Sequence, residues 1–353
     1  MAKERTVPYP QKNSSLGKQI IKLGYVPLID CAPILIAKEH NLFEKHGIRV
    51  QTFQQPGWAT VREKLVHSEL DAAECLGPLA VSIHHGIGTI RKEMVIPLIM
   101  SANGNGLTLS NRIPPEVLET ENGLLEFLEK NYSKKSPLTL ATIHPCSSHH
   151  SLLLMWLKQH KVAGHPFISF VSLPPEVIVR SLANGHIEGF CVGEPWNSVA
   201  ILDGLAWSAS NSVKLSNGHP EKVLAVTNHF AQSRPSDLQA LIQALLEACC
   251  FCQNKENHSE ILSLLAKEPG MNQVSNSLPF SLNGRLPKPT EGETESCPSF
   301  HIFYDEAINA PTSQTASWLR NSVRESGLLA PQQSLPNDSI FRMDLFEEAY
   351  RKI

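Results

Sequence analysis

The sequence predicts an α/β protein of two lobes, each a mainly parallel sheet flanked by helices, and three observations carry that expectation. Short apolar runs alternate with helical stretches of crossover length from Lys18 to Val226, the pattern of strands joined by helical connections. The length of 353 residues sets a prior of two domains. The apolar run Gly189-Phe190-Cys191-Val192-Gly193 is closed at once by Glu194-Pro195-Trp196. A strand that stops there delivers its last residues to a sheet edge, where open α/β sheets hold their ligands.

The elements follow in order. Lys18 to Val26 reads as a strand ended by Pro27, and Asp30 to Phe43 as a helix with Asp30 as its N-cap and Pro33 in the first turn, where a missing N–H is harmless. Arg49 to Phe53 is a second strand, followed by Trp58 and a helix to about Leu70. Strand patterns at Leu70 to Gly77 and Val95 to Ser101 flank a small-residue helix from Pro78 to Gly86. Ser101-Ala102-Asn103-Gly104-Asn105-Gly106 is a turn of residues that tolerate positive φ and point backbone N–H groups outward. Leu107 to Leu109 is then a strand, Pro114 to Lys130 a helix and Leu138 to Ile143 another strand. His144 to His150 leads into a helix through Leu157; a cap at Ser147 or Ser148 leaves free N–H groups and the positive dipole end at the turn, which suits an anion. Phe167 to Val171, Pro174 to Ala183 and Ile187 to Val192 read as strand, helix and strand.

Beyond Trp196 the chain becomes mostly helical. Lys222 to Val226 is a last strand, and Leu238, Leu241, Ile242, Leu245, Cys249 and Cys252 recur at helical spacing. Residues 268–298 are rich in Pro, Gly, Ser, Asn and Glu and read as a flexible insertion. An amphipathic helix beyond Pro311 and another from Phe341 to Arg351 close the chain.

Composition excludes several classes. Hydrophobic residues make up 42% and charged residues 18%, ordinary globular usage, and the net charge of -3 comes without a dense Lys/Arg stripe, so direct nucleic-acid binding is not expected. No run approaches a membrane span. Met1 to Gly17 carries charges and Pro where a signal peptide needs an apolar core, so a cytoplasmic location is expected. The eight cysteines lie mostly in apolar runs and read as reduced, buried thiols. No phosphate loop of G-x-x-x-x-G-K-[ST] type, no G-x-S-x-G and no H-E-x-x-H is present, so a binding protein rather than an enzyme is expected, with no cofactor and no metal cluster.

Seven ordered stretches then carry a family resemblance: LGYVPLIDCAPILIAKEHNLFEKHGI (23–48), GWATVREKL (57–65), NGNGLTLSN (103–111), HHSLLLMWL (149–157), LPPEVIV (173–179), GFCVGEPWN (189–197) and HPEKVLAVT (219–227). Together they resemble the nitrate- and bicarbonate-binding receptors of ABC importers. The resemblance implies a two-lobed type II periplasmic-binding-protein fold that closes on a small oxyanion. Lobe one is expected from 18–110 and 194–353 and lobe two from 111–193, with crossing segments near Leu109 and Gly193. DCAP, WATVREK and NGNGLTLSN look closer to a cytoplasmic nitrate/nitrite sensor branch. The implied partner is then an RNA-binding antitermination regulator; for a transport receptor it is an ABC permease and ATPase. A periplasmic or membrane-associated location is the alternative if a leader is missing from the sequence.

Nitrate is planar, singly charged and a weak acceptor, so its pocket needs several modest donors in a dry cleft. The candidates are Trp58, the backbone and amide around Gly104 and Asn105, His149 and Lys222, and the resemblance implies ligand contacts at Trp58, His149 and Lys222. Gly193, Glu194 and Trp196 are expected at the hinge and cleft. Each has a plainer reading: Trp58 as a core aromatic, His149 or His150 as an exposed neighbour of the cap, Lys222 as a solvated charge. The register of Trp156-Leu157 favours His149 over His150. Where many transport receptors of the family carry Gln in an NGQ turn, this chain has Asn105. Bicarbonate-binding relatives use a metal ion with the anion, for which Glu194 is a possible oxygen ligand; a hinge carboxylate paired with a backbone N–H or an Arg is the simpler account. A thiamine-pyrimidine synthase-like enzyme is the rival, because Ala248-Cys249-Cys250-Phe251-Cys252 resembles a cysteine-rich run of that family. Cys249 and Cys252 fall on the apolar face of their helix, where small buried hydrophobes belong.

Overall fold

The computed structural model describes residues 19–330, 332–336 and 340–353; the reading of Met1 to Gly17 lies outside them. In chain order the strands are β1 (Ile21–Tyr25), β2 (Val50–Gln54), β3 (Ala72–Leu76), β4 (Met94–Asn103), β5 (Asn105–Ser110), β6 (Leu138–Thr142) and β7 (Ile168–Ser172). They continue with β8 (Gly189–Gly193), β9 (Ala206–Asn211), β10 (Pro220–Thr227), β11 (Arg285–Pro287), β12 (Thr294–Ser296) and β13 (His301–Ile302). A six-stranded sheet has the order β13-β4-β10-β3-β1-β2, and a five-stranded sheet the order β7-β6-β8-β5-β9.

The two-lobed α/β architecture expected from the strand-helix alternation is present, with mixed sheets. Strands joined by helical crossovers are parallel: β1 to β2 and β3, and β6 to β7 and β8. β10 runs antiparallel to β3 and β4, and β5 antiparallel to β8 and β9. Those two strands are reached from the other sheet, so no crossover helix sets their direction.

The crossings lie elsewhere than at Leu109 and Gly193. β4 leaves the first sheet at Asn103 and β5 enters the second at Asn105, so Gly104 alone, at φ 84°, makes the passage. The return runs from the end of β9 at Asn211 through a short helix, Ser212–Ser216, to β10 at Pro220. Lobe two therefore spans 105–211 rather than 111–193. Gly193 does end a strand, but the helix after it, Trp196–Leu202, folds back on β5, β8 and β9 of the same sheet.

Two further expectations are corrected. The predicted helix from Asp30 to Phe43 is a 3-10 turn, Ile29–Cys31, then helices Ala32–Glu39 and Leu42–Lys45, broken where Asn41 takes φ 53°. Asp30 caps neither helix. Residues 268–298 are not a loose insertion. They form a 3-10 segment, Asn272–Ser277, a helix, Leu278–Leu282, and the β11–β12 hairpin. Met271, Leu278 and Leu282 are buried in the core of lobe one with Leu245, Ile261 and Leu265, while Leu286 and Cys297 close around Phe300. The polar composition misleads because the segment covers an existing apolar surface and needs only a few apolar side chains to do so.

A second core joins the lobes, bringing Val26, Leu28 and Leu76 of lobe one against Phe190, Val192 and Trp196 of lobe two. The helix Ser313–Glu325 straps the pair. Its Leu319 lies so close to Gly77 that a Cβ there would sit 2.4 Å away, and its Ser322 and Glu325 bond Ser151 and Lys158 of lobe two. Cys249 and Cys252 are buried on the apolar face of Pro235–Gln253, and Cys249 Sγ lies 3.6 Å from the Met100 carbonyl oxygen. These two thiols pack the core, as their helical spacing suggests.

Candidate functional site

Helix N-termini and strand ends from both lobes meet at one buried polar cluster. Trp58 is the first residue of the helix Trp58–Val66; it is buried, and its indole Nε1 has no hydrogen-bond partner among the described residues. Lys222 on β10 lies beneath it, with Nζ 5.4 Å from the ring centroid, a cation–π contact strengthened by burial. The ammonium donates to Asp30 Oδ2 at 3.1 Å and to Glu221 Oε1 at 2.7 Å. Asp30 in turn accepts from Ser101 Oγ at 2.9 Å.

Glu221 and Lys222 are consecutive, and neighbours on a regular strand face opposite sides of the sheet. β10 has register shifts against β4 between Pro220 and Lys222 and again between Lys222 and Val223. Such a bulge re-aims side chains, and here it brings two adjacent charged groups together.

Lobe two supplies the helix Ser148–Gln159. Ser147 is its cap, accepting from the His150 N–H at 3.1 Å. Ser148 Oγ donates to Glu221 Oε2, and His149 Nε2 stands 3.6 Å from Glu221 Oε1. Neither ring nitrogen of His149 makes a hydrogen bond to a described residue. Asn105, the first residue after the crossing, donates its Nδ2–H to Glu221 Oε2 at 2.6 Å and its backbone N–H to Ser212 Oγ at 3.2 Å. His219, on the return crossing, has Nε2 3.2 Å from Glu221 Oε2 and Nδ1 3.0 Å from the Ser216 carbonyl oxygen.

Burial sets the protonation states. It pushes His149 down to about 4, with Lys222 adding to the effect and Glu221 opposing it, so the imidazole is neutral near pH 7 and offers one N–H. His301, which faces Gly104, is pushed down to about 4 by the same burial, and neither of its ring nitrogens is hydrogen-bonded. Burial alone would lower Lys222, but Asp30, Glu221 and Glu74 outweigh it and raise the ammonium. Burial raises Glu74 on β3 to about 8 against the pull of Lys222. Among the described residues no group of three or more His, Cys, Asp or Glu side chains is arranged to hold a metal ion.

Of the residues expected at the site, Trp58, Asn105, His149 and Lys222 meet here. Gly104 contributes backbone, and the reason for glycine is visible: besides its positive φ, a Cβ would lie 2.7 Å from the His301 ring and 3.6 Å from Asp30 Oδ1. Gly104→Ala is expected to cost about 1–3 kcal/mol through left-handed strain and displacement of His301. Urea unfolding checks this, and an unchanged midpoint would contradict it.

Gly193, Glu194 and Trp196, expected at the hinge and cleft, are buried and do not form the crossing. A Cβ on Gly193 would lie 3.4 Å from Asp30 Oδ2. The Glu194 carbonyl accepts from Ile29 N–H at 3.2 Å, while its carboxylate accepts from Ser198 N–H at 3.1 Å, the backbone-paired arrangement anticipated for it. Burial raises that carboxyl to about 7 against bonds from Ser198 and Asn197. His150 packs edge-on against Phe170, its ring 5.3 Å away.

Sequence reasoning missed Asp30, Glu74, Ser101, Ser148, His219, Glu221 and His301. Glu74 did carry a signal: it is a carboxylate within an otherwise apolar strand, a placement that burial makes costly unless the group is partnered or used.

The nitrate import ATP-binding protein NrtC of Synechocystis sp. is 33% identical over 348 residues, covering 96% of this chain and 51% of that protein. The chain thus spans about half the length of that relative. The nitrate/nitrite binding protein NrtA of Synechococcus elongatus is 26% identical over 346 residues, covering 94% of this chain and 78% of that one. The crystal structure of the periplasmic nitrate-binding protein NrtA from Synechocystis superposes with a TM-score of 0.86 at 24% identity, covering 96% of this chain and 89% of that one. It shows that the fold is the expected periplasmic-binding-protein architecture. It also overturns the cytoplasmic expectation, which rested on the composition of Met1 to Gly17 and on the likeness to a sensor branch: the nitrate-binding protein of that structure is periplasmic. The profile of the NMT1-like family matches residues 14–266, a span that takes in Trp58, Asn105, His149 and Lys222 together, and the chain belongs to that family.

Proposed function

We propose that the chain is a receptor for a small oxyanion, nitrate or nitrite, held between its lobes and serving a nitrate import system. The observation that carries this is the convergence of Trp58 and Lys222 from one lobe with His149 from the other, around Asn105 at the crossing. Buried polar groups without partners cost about 1–3 kcal/mol each. A planar anion accepting from the Trp58 indole and the His149 imidazole offsets that cost while Lys222 balances its charge. Because the donors belong to both lobes, the anion binds the closed form better than the open one and closure reports occupancy.

The relatives support import rather than regulation. They are named as an import ATP-binding protein and as nitrate-binding proteins, and none is named as a partner of an RNA-binding antitermination regulator. This chain has no G-x-x-x-x-G-K-[ST] stretch, so the part of NrtC it resembles is read as a receptor unit that works beside an ATPase and permease. A receptor is also favoured over an enzyme because Cys249 and Cys252, two of the three thiols that suggested a thiamine-precursor activity, are core residues, with Cys250 exposed on the same helix.

Calorimetric titration with nitrate, nitrite, and bicarbonate with and without calcium tests the reading. Saturable nitrate or nitrite binding is expected, and Trp58→Ala or His149→Ala should weaken it by about 1–3 kcal/mol, roughly 5- to 150-fold; Trp58→Ala should also lower stability by about 3–5 kcal/mol, because the buried ring leaves a cavity. Unaltered affinity in both variants would place the anion elsewhere. Binding of bicarbonate alone would replace the ligand.

A further inference from the structure

The donors assigned to the anion already converge on a carboxylate of the chain itself. Glu221 is fully buried. Its Oε1 takes the Lys222 ammonium at 2.7 Å and faces His149 Nε2 at 3.6 Å. Its Oε2 takes the Asn105 amide at 2.6 Å, the Ser148 hydroxyl and His219 Nε2 at 3.2 Å. Three of the residues proposed to hold the anion, Asn105, His149 and Lys222, thus point at one planar group whose two oxygens resemble those of nitrite or nitrate in geometry and charge. The carboxylate also reaches the N-terminal turn of Ser148–Gln159, the place in lobe two most favourable to negative charge.

Resting on the oxyanion reading above, we propose that Glu221 is a tethered carboxylate occupying the anion donors of its own cleft, so that nitrate or nitrite binds together with one proton taken up by Glu221.

The charges facing the carboxylate require such a proton. Lys222 stands on its own strand, Asp30 accepts from that same ammonium, Glu74 comes from β3, His149 from lobe two, His219 from the crossing and His301 from β13. With one ammonium shared by Asp30 and Glu221, a second anion finds no uncompensated positive charge. Burial tends to raise Glu221, but Lys222, His149 and His219 outweigh it and hold the carboxyl well below the ordinary range, so the free protein keeps Glu221 ionised. Bringing in an anion reverses that balance. A proton on Oε1 frees Lys222 and His149 for the anion, while Oε2 still accepts from Asn105 and Ser148.

The test is nitrate titration of the full chain at constant ionic strength between about pH 6 and 8, repeated in buffers of different ionisation enthalpy. Proton uptake of about one per anion is expected, with affinity falling about tenfold per pH unit because Glu221 is ionised in the free protein and protonated in the complex. Glu221→Gln should bind without proton uptake, show a flat pH profile and exceed the parent affinity at the alkaline end. Saturable nitrate binding by the parent chain that is flat with pH and releases or takes up no proton would overturn the tethered-carboxylate role while leaving the receptor standing. If Glu221→Gln does not fold, the pH slope and proton count of the parent chain decide alone. Absence of anion binding at every pH would remove the receptor reading, and this role with it.

Discussion

Lys222→Ala is expected to abolish anion binding and to destabilise the chain by about 3–5 kcal/mol, the cost of leaving buried charge without its partner. The reason is local: Asp30 and Glu221, both fully buried, share this ammonium at 3.1 and 2.7 Å. The pH dependence of stability should change sign with it. In the parent chain Glu221 is held below its ordinary range, so its contribution is present above the unfolded carboxylate value, about 4.3, and is lost as pH falls through the lower folded value. Without Lys222 the buried carboxylates favour protonation, and acidification should recover part of the lost stability. Urea unfolding at pH 5 and pH 7.5 reads this; a variant as stable as its parent at pH 7.5 would mean that solvent reaches the cluster.

Removing residues 270–297 is expected to prevent cooperative folding. The segment takes Met271, Leu278 and Leu282 out of water against the lobe-one core, and each large-to-small change at such sites costs about 2–5 kcal/mol. The sum is comparable with the whole stability of a typical domain, about 5–15 kcal/mol. Leu278→Ala alone should lower stability by about 2–5 kcal/mol. Thermal unfolding and near-ultraviolet circular dichroism of both variants check this. A deletion that kept the parent transition would show that the segment can leave without exposing the core.

Both results concern residues whose importance the linear chain obscures. The 268–298 stretch looks like a linker because its composition is polar and rich in turn formers, yet a short helix and hairpin need few apolar side chains when another unit provides the surface. A regular strand would send Glu221 and Lys222 to opposite faces; the bulge in β10 puts them together. The crossing points were misplaced for a similar reason. Gly193 and Pro195 do stop a strand, but where the chain goes next is decided by the apolar face of Trp196–Leu202, which docks on its own sheet.

The sequence by itself determined the alternation of strands and helices, a helix cap at Ser147 or Ser148 and the burial of Cys249 and Cys252 on the Pro235–Gln253 helix. These depend on periodicity and capping chemistry, which are local properties, whereas Trp58, His149 and Lys222 were singled out by the family resemblance. Only the tertiary structure decided which strands belong to which lobe, that Asp30 faces Lys222 instead of capping a helix, and that Glu221 sits among the anion donors. Those outcomes depend on register shifts and on contacts between residues as far apart as Asp30 and Lys222, which no local pattern encodes.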